Sequence, residues 1–263
     1  MSNDEKPLAG GRLNQVVRID DTVHRPAGPW TPMVHALLAH LQERDFTLGP
    51  KPLGFDGAGR EILSYLPGQT VGSSLPWPDW VWDEALLAEV GRATAGYHRA
   101  VADFRPDGVQ PWRWGPAALR PDQIVCHHDL APYNVVVEGG QLRGIIDWDL
   151  IGPGTVRSEL AFVAWQWVPL QDPAITRFFG WRTDPDLVRR LRLVLDSYGL
   201  TERTGFIDDV IARVRLNRDV MVRKAEEGDP AYARLAEEGH VAGMNMAIAF
   251  LSARGGELQA SIV

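Results

Sequence analysis

The sequence is short of several things, and each shortage narrows what the chain can be. One cysteine, Cys126, occurs in 263 residues, so no intramolecular disulfide can form and nothing speaks against a reducing cytoplasm. No apolar run approaches the roughly twenty residues that cross a bilayer. The start Met1-Ser2-Asn3-Asp4-Glu5-Lys6-Pro7 also lacks the basic-then-apolar pattern of a secretion signal. A cytoplasmic protein with no membrane partner is therefore expected. Positive charge is not in excess: 27 Lys and Arg stand against 34 Asp and Glu, a formal net charge of −7. That balance disfavours a nucleic-acid partner and leans weakly toward cationic ligands. No internal repeat, heptad run or low-complexity tract is present.

What is present is ordinary for a globular protein: 45% hydrophobic and 23% charged residues, enough for one large domain or two lobes with a sizeable core. The first part reads as a small mixed lobe. Val16 to Asp20 and Thr22 to Arg25 are short strands, and Pro26-Ala27-Gly28-Pro29 breaks the chain before a helix that starts at Thr31-Pro32. Met33, Val34, Leu37, Leu38 and Leu41 give that helix an apolar face. Two further strands flank the Asp56-Gly57 turn, and Pro67-Gly68 to Pro78 is the crossing out of the lobe, with its boundary near residue 68. Beyond it the pattern is mainly helical, over Trp80 to Phe104, Ser158 to Val168, Asp186 to Tyr198, Gly205 to Lys224 and Ala231 to Arg254.

One stretch carries chemistry. Cys126-His127-His128-Asp129-Leu130-Ala131-Pro132-Tyr133-Asn134 is followed by Ile145-Ile146-Asp147-Trp148-Asp149. Transfer of a γ-phosphoryl group needs an acceptor hydroxyl held in line beside one carboxylate, and that is the place of Asp129. Mg²⁺ prefers oxygen ligands and keeps several waters, so the protein need supply only one or two oxygens beside the phosphates, here from Asn134 and Asp147. Between them, two β-branched runs about Gly139-Gly140 read as a hairpin, which brings Asn134 and Asp147 together. His127 is expected to support the loop rather than react, and Asp149 to help hold metal or loop.

The segment from Val125 to Val137, with Gly144 to Asp149, resembles the aminoglycoside phosphotransferase and choline kinase family, the small-molecule branch of the protein-kinase-like fold. Gly10 to Arg18 looks like that family's first-strand nucleotide loop, and Glu61 to Gly68 like its hinge. The resemblance implies an α+β, two-lobed fold. Residues 1–68 would form a small antiparallel-sheet lobe that binds nucleotide, and 69–263 a larger, mainly helical lobe for catalysis and acceptor binding. It implies ATP or GTP as co-substrate with Mg²⁺, the main-chain carbonyl of Ser64 and N–H of Leu66 on the purine, and Arg25 in place of the usual strand lysine as phosphate cation. The helix position of that lysine's glutamate holds His35, so no carboxylate partner for Arg25 can be read.

The acceptor remains open. Glu159, Asp208, Asp209, Glu226, Glu227, Glu237 and Glu238 could receive a polyamine, and several of the ten tryptophans could hold sugars or cationic groups, although core packing is the default for most of them. Three functions fit: a kinase of an antibiotic such as an aminoglycoside or macrolide; a kinase of a metabolite such as an amino alcohol, a sugar or a homoserine-like compound; or a non-catalytic nucleotide-binding protein of the same fold. Protein substrates are disfavoured, because neither Asp-Phe-Gly nor Ala-Pro-Glu occurs.

Overall fold

The computed structural model describes residues 5–8, 16–72, 75–108, 110–115 and 118–263. The expected nucleotide loop at Gly10-Gly11 lies outside them. The chain forms two compact units, one of Met1–Ser74 with Arg92–Glu159, the other of Leu75–Gly91 with Leu160–Val263.

The first unit opens with five antiparallel strands, β1 (Lys6–Pro7), β2 (Val17–Ile19), β3 (Thr22–Arg25), β4 (Pro52–Phe55) and β5 (Glu61–Ser64), in the order β1-β2-β3-β5-β4. Helix α1 (Thr31–Glu43) begins with proline in its first turn, where the missing N–H costs no hydrogen bond, and buries Val34, Leu37, Leu38 and Leu41. Asp56 shapes the β4–β5 turn by accepting from the N–H groups of Ala58 and Arg60, both at 2.9 Å. Register in this sheet sets up the chemistry, because β3 and β5 pair with Arg25 directly opposite Glu61.

The same unit continues with β6 (Ile124–Cys126), which pairs with β9 (Gly152–Gly154), and with the hairpin of β7 (Val135–Glu138) and β8 (Gln141–Ile145). Gly139 and Gly140 both have positive φ, 58° and 77°, the backbone a two-residue hairpin turn requires. The outgoing chain fastens to this hairpin: Gln69 and Val137 exchange both N–H···O bonds at 2.8 Å. A Cβ on Gly68 would lie 2.6 Å from Val136 Cγ1, so only glycine permits that approach.

The second unit is helical. Helix α2 (Glu84–Ala100) starts in it, and α3 (Val156–Trp167), α4 (Pro173–Phe179), α5 (Leu187–Tyr198), α6 (Phe206–Glu226), α7 (Pro230–Glu237) and α8 (His240–Ile262) follow. Leu191, Val194, Leu195, Phe206, Val210, Val214, Ala247, Leu251 and Leu258 are buried. Trp77, Trp82, Phe179 and Trp181 stack together. Two expectations change here. The single helix over Ala231 to Arg254 is two, broken where Gly239 takes φ 91°. The second of them also runs on through Gly255-Gly256, because a Cβ at Gly255 would meet Ile207 of α6 at 3.2 Å and glycine lets the helices close up. Among the described residues no helix is long and apolar enough to cross a membrane.

Candidate active site

Strand β6 delivers His127, His128 and Asp129 into a loop whose backbone is held from behind. His128 has φ 67°, a left-handed conformation unfavourable for a non-glycine residue. Glu159 at the start of α3 holds it there by accepting from the N–H groups of His127 at 3.0 Å and His128 at 2.8 Å. Its carboxylate is fully buried, with His98 Nε2 of α2 at 3.5 Å. Burial alone would raise the Glu159 pKa. The hydrogen bond and charge of His98, with His128 and His127 beside it, outweigh burial and hold it well below the usual carboxylate range. Glu159, one of the acids that could receive a polyamine, instead spends both its oxygens on the loop.

His127 is committed as well. Its Nε2–H donates to the Ile146 carbonyl at 3.1 Å, and Nδ1 accepts from the Asp129 N–H at 3.3 Å. Those partners define one neutral tautomer, and burial keeps the ring's pKa below the ordinary histidine value.

Asp129 is only half-buried. Its Oδ1 accepts from the Tyr133 hydroxyl at 2.9 Å, and its Oδ2 from Asn134 Nδ2 at 2.8 Å. The same Nδ2 also donates to the Asp129 carbonyl at 2.9 Å. The amide of Asn134 is thereby oriented, with Oδ1 left as its acceptor atom. Ile146 N–H donates to the Asn134 carbonyl at 2.9 Å, extending the hairpin pairing by one step. Asp147 comes next, in a left-handed conformation (φ 58°, ψ 62°) with its side chain 53% exposed.

Arg25 joins this set from the N-terminal sheet. Its Nε donates to Glu61 Oε2, Nη2 to Asp149 Oδ1 at 2.7 Å and Nη1 to Asp147 Oδ1 at 3.3 Å. Burial works against a charged guanidinium, but Asp149, Glu61 and Asp147 more than offset it and raise the Arg25 pKa. The carboxylate partner that could not be read from the sequence is therefore Glu61, on β5. The helix residue His35 takes a supporting place, with Nε2 3.0 Å from Glu61 Oε1. Asp149 is buried and bridging: its Oδ2 accepts from Arg113 Nη1 at 3.1 Å, and burial raises its pKa.

Asp129, Asn134, Asp147 and Arg25 thus form one connected set. Ser64 and Leu66 stand apart, with no hydrogen bond to that set among the described residues. Ser64 closes the sheet instead: its N–H donates to the Lys51 carbonyl at 2.9 Å and its hydroxyl accepts from the Lys51 N–H at 2.8 Å. The hydroxyl thereby takes the N–H that a continuing ladder would give to the Ser64 carbonyl. The donor set suits Mg²⁺, with one exposed carboxylate and one oriented amide oxygen, both hard ligands that leave positions for water and phosphate.

A family model described as "Phosphotransferase enzyme family" matches residues 109–192. The trifolitoxin immunity protein of Rhizobium leguminosarum bv. trifolii is 36% identical to this chain over 215 residues, 80% of each protein. The chain belongs to this phosphotransferase family. Solved structures share the fold of this family member. A choline/ethanolamine kinase family protein from Mesorhizobium loti superposes with a TM-score of 0.60 at 16% identity, covering 99% of this chain and 92% of that one. A macrolide 2'-phosphotransferase from Brachybacterium faecium gives 0.59 at 15% identity, covering 93% of each. The fold is accordingly the α+β protein-kinase-like fold, with an antiparallel sheet at the N-terminal end and mainly helices after it.

The sequence reading of this phosphotransferase missed Glu61, Arg113 and the anchoring role of Glu159. A signal existed only for Glu61: an acidic residue opening a strand otherwise destined for burial, Glu61-Ile62-Leu63-Ser64, needs a cation nearby.

Proposed function

We propose that this protein transfers the γ-phosphoryl group of ATP or GTP to a hydroxyl of a small molecule, and that the modification disarms a toxic, antibiotic-like compound. The observation that carries this reading is the Asp129 carboxylate. It accepts from Asn134 on one oxygen at 2.8 Å and from a hydroxyl, that of Tyr133, on the other at 2.9 Å, the kind of partner an acceptor would offer. His127 has no ring nitrogen left for proton transfer, so Asp129 is the group that meets the acceptor. The acceptor oxygen bonds to the γ-phosphorus, the bond to the β,γ-bridging oxygen breaks, the nucleoside diphosphate leaves, and the acceptor proton passes to Asp129. Asn134 and Asp147 would hold Mg²⁺, which would neutralise charge on the phosphates. Residues 1–68 serve the nucleotide, through Arg25 on the phosphates and the Ser64 carbonyl and Leu66 N–H on the purine.

A toxic acceptor is favoured by the 36% identical relative, an immunity protein against trifolitoxin. An amino alcohol or similar metabolite is the second reading, favoured by the choline/ethanolamine kinase-like structure. The missing helix glutamate argues mildly for the non-catalytic reading, and against it stands Glu61, which gives Arg25 a carboxylate partner from the neighbouring strand.

The test is nucleotide consumption by the purified protein with Mg²⁺ and ATP or GTP, over a panel of aminoglycosides, macrolides, amino alcohols and sugars. Asp129→Ala is expected to lower acceptor-dependent turnover by about 10²-fold or more while nucleotide binding persists. Asp147→Ala is expected to weaken Mg-nucleotide binding as well. Equal turnover in Asp129→Ala and the parent would sink the assignment.

A further inference from the structure

We propose that Arg113 is a second phosphate-binding cation of this site and contacts the γ-phosphate at the transfer end. The inference rests on the kinase reading above and adds to it a residue outside the sequence motifs. Arg25 alone is a poor sole cation for a triphosphate. Each of its three nitrogens already faces a carboxylate, and its side chain is 8% exposed. Arg113 differs on both counts: its side chain is 27% exposed, and among the described residues its one hydrogen bond runs from Nη1 to Asp149. Nε and Nη2 remain to grip oxygens, and a guanidinium fork suits phosphate.

The position of Arg113 is built from several sides. Its guanidinium lies 4.5 Å from the centre of the Trp30 ring, and Asp149 bridges it to Arg25 through opposite carboxylate oxygens. The next residue, Trp114, packs its ring 5.6 Å from that of His128, the neighbour of Asp129. The carbonyl of Trp114 presses so closely on Gly152 that a Cβ there would lie 2.0 Å away. Arg113 is therefore tied through Asp149 to the turn that carries Asp147, and through its neighbour Trp114 to the loop that carries Asp129. A cation there meets the charge that develops on the transferring phosphoryl oxygens. The competing role is charge balance for Asp149 alone.

Calorimetric titration of the parent protein and Arg113→Met with Mg²⁺ and ATP, ADP, GTP or GDP separates the two roles. A γ-phosphate contact predicts that Arg113→Met loses about tenfold in triphosphate affinity while diphosphate affinity holds. Arg113→Lys, which keeps charge but not the fork, should fall between, and it serves as the reading if the methionine variant does not fold. An unchanged ratio of triphosphate to diphosphate affinity would overturn the role of Arg113 and leave the kinase reading standing. Absence of nucleotide binding in the parent would overturn both.

Discussion

At the scale of single residues, the informative side chain is Glu61. The kinase arrangement pairs a strand cation with a helix glutamate, whereas here the carboxylate comes from the strand opposite, and the helix supplies His35. Two contacts fix that histidine, a stack on Phe55 at 5.1 Å and the bond to Glu61. Burial would raise the Glu61 pKa, but the His35 hydrogen bond and the Arg25 charge outweigh it and leave the pKa lowered. Glu61→Ala should cost about 3 kcal/mol, the lower end for a broken buried pair, because Arg25 keeps Asp149 and Asp147. It should also weaken Mg-nucleotide binding. Adding His35→Glu would return the carboxylate to the helix and restore both quantities in part. Urea midpoints and nucleotide titrations check this, and an unaltered midpoint in Glu61→Ala would show that the pair is not a structural anchor. The partnership was hidden from the sequence because 36 residues separate the two ends and nothing local reports strand register.

At the scale of elements, legibility followed how local the cause was. The hairpin at Gly139-Gly140 was readable, since turn chemistry and β-branched runs lie side by side. So were α1 and α5, whose apolar spacing is regular and whose starts are marked by Pro32 and by Asp186 as cap. The break at Gly239 was not, since a glycine interrupts or continues a helix according to tertiary packing, as Gly255 inside α8 demonstrates. Nor was the packing of the 110–115 loop against β9. That packing makes Gly152 indispensable: Gly152→Ala must displace the Trp114 backbone, and overpacking of this kind costs about 1–3 kcal/mol. The expected outcome is a lower thermal midpoint, together with an altered near-ultraviolet dichroism spectrum as Trp114 leaves His128. An unchanged spectrum and midpoint would mean that the loop does not rest on β9 in solution.

At the scale of the whole molecule, much of the negative charge lies on solvated helix faces, but Glu159, like Glu61 and Asp149, does not. Glu226, Glu227, Glu237 and Glu238 are exposed, and Glu227 and Glu238 pair with basic side chains of their own helices, as helix-borne charges usually do. Glu159 ties α3, α2 and the His127–Asp129 loop together through His98, His127 and His128. Its folded pKa lies below the unfolded value of about 4.3. The stabilisation is therefore fully present above that value, and it is lost as pH falls from there toward the folded pKa, because only the unfolded chain takes up the proton readily. Glu159→Gln removes this pH dependence and also turns an amide N–H₂ toward a backbone N–H, so at neutral pH it should destabilise by about 3 kcal/mol. Chemical denaturation from pH 7 down to pH 3 should show the parent losing stability steeply below about pH 4.5, with a shallower decline in the variant. Parallel curves would assign the acid sensitivity to other carboxylates, and would mean that the left-handed turn at His128 is held by something other than this charge.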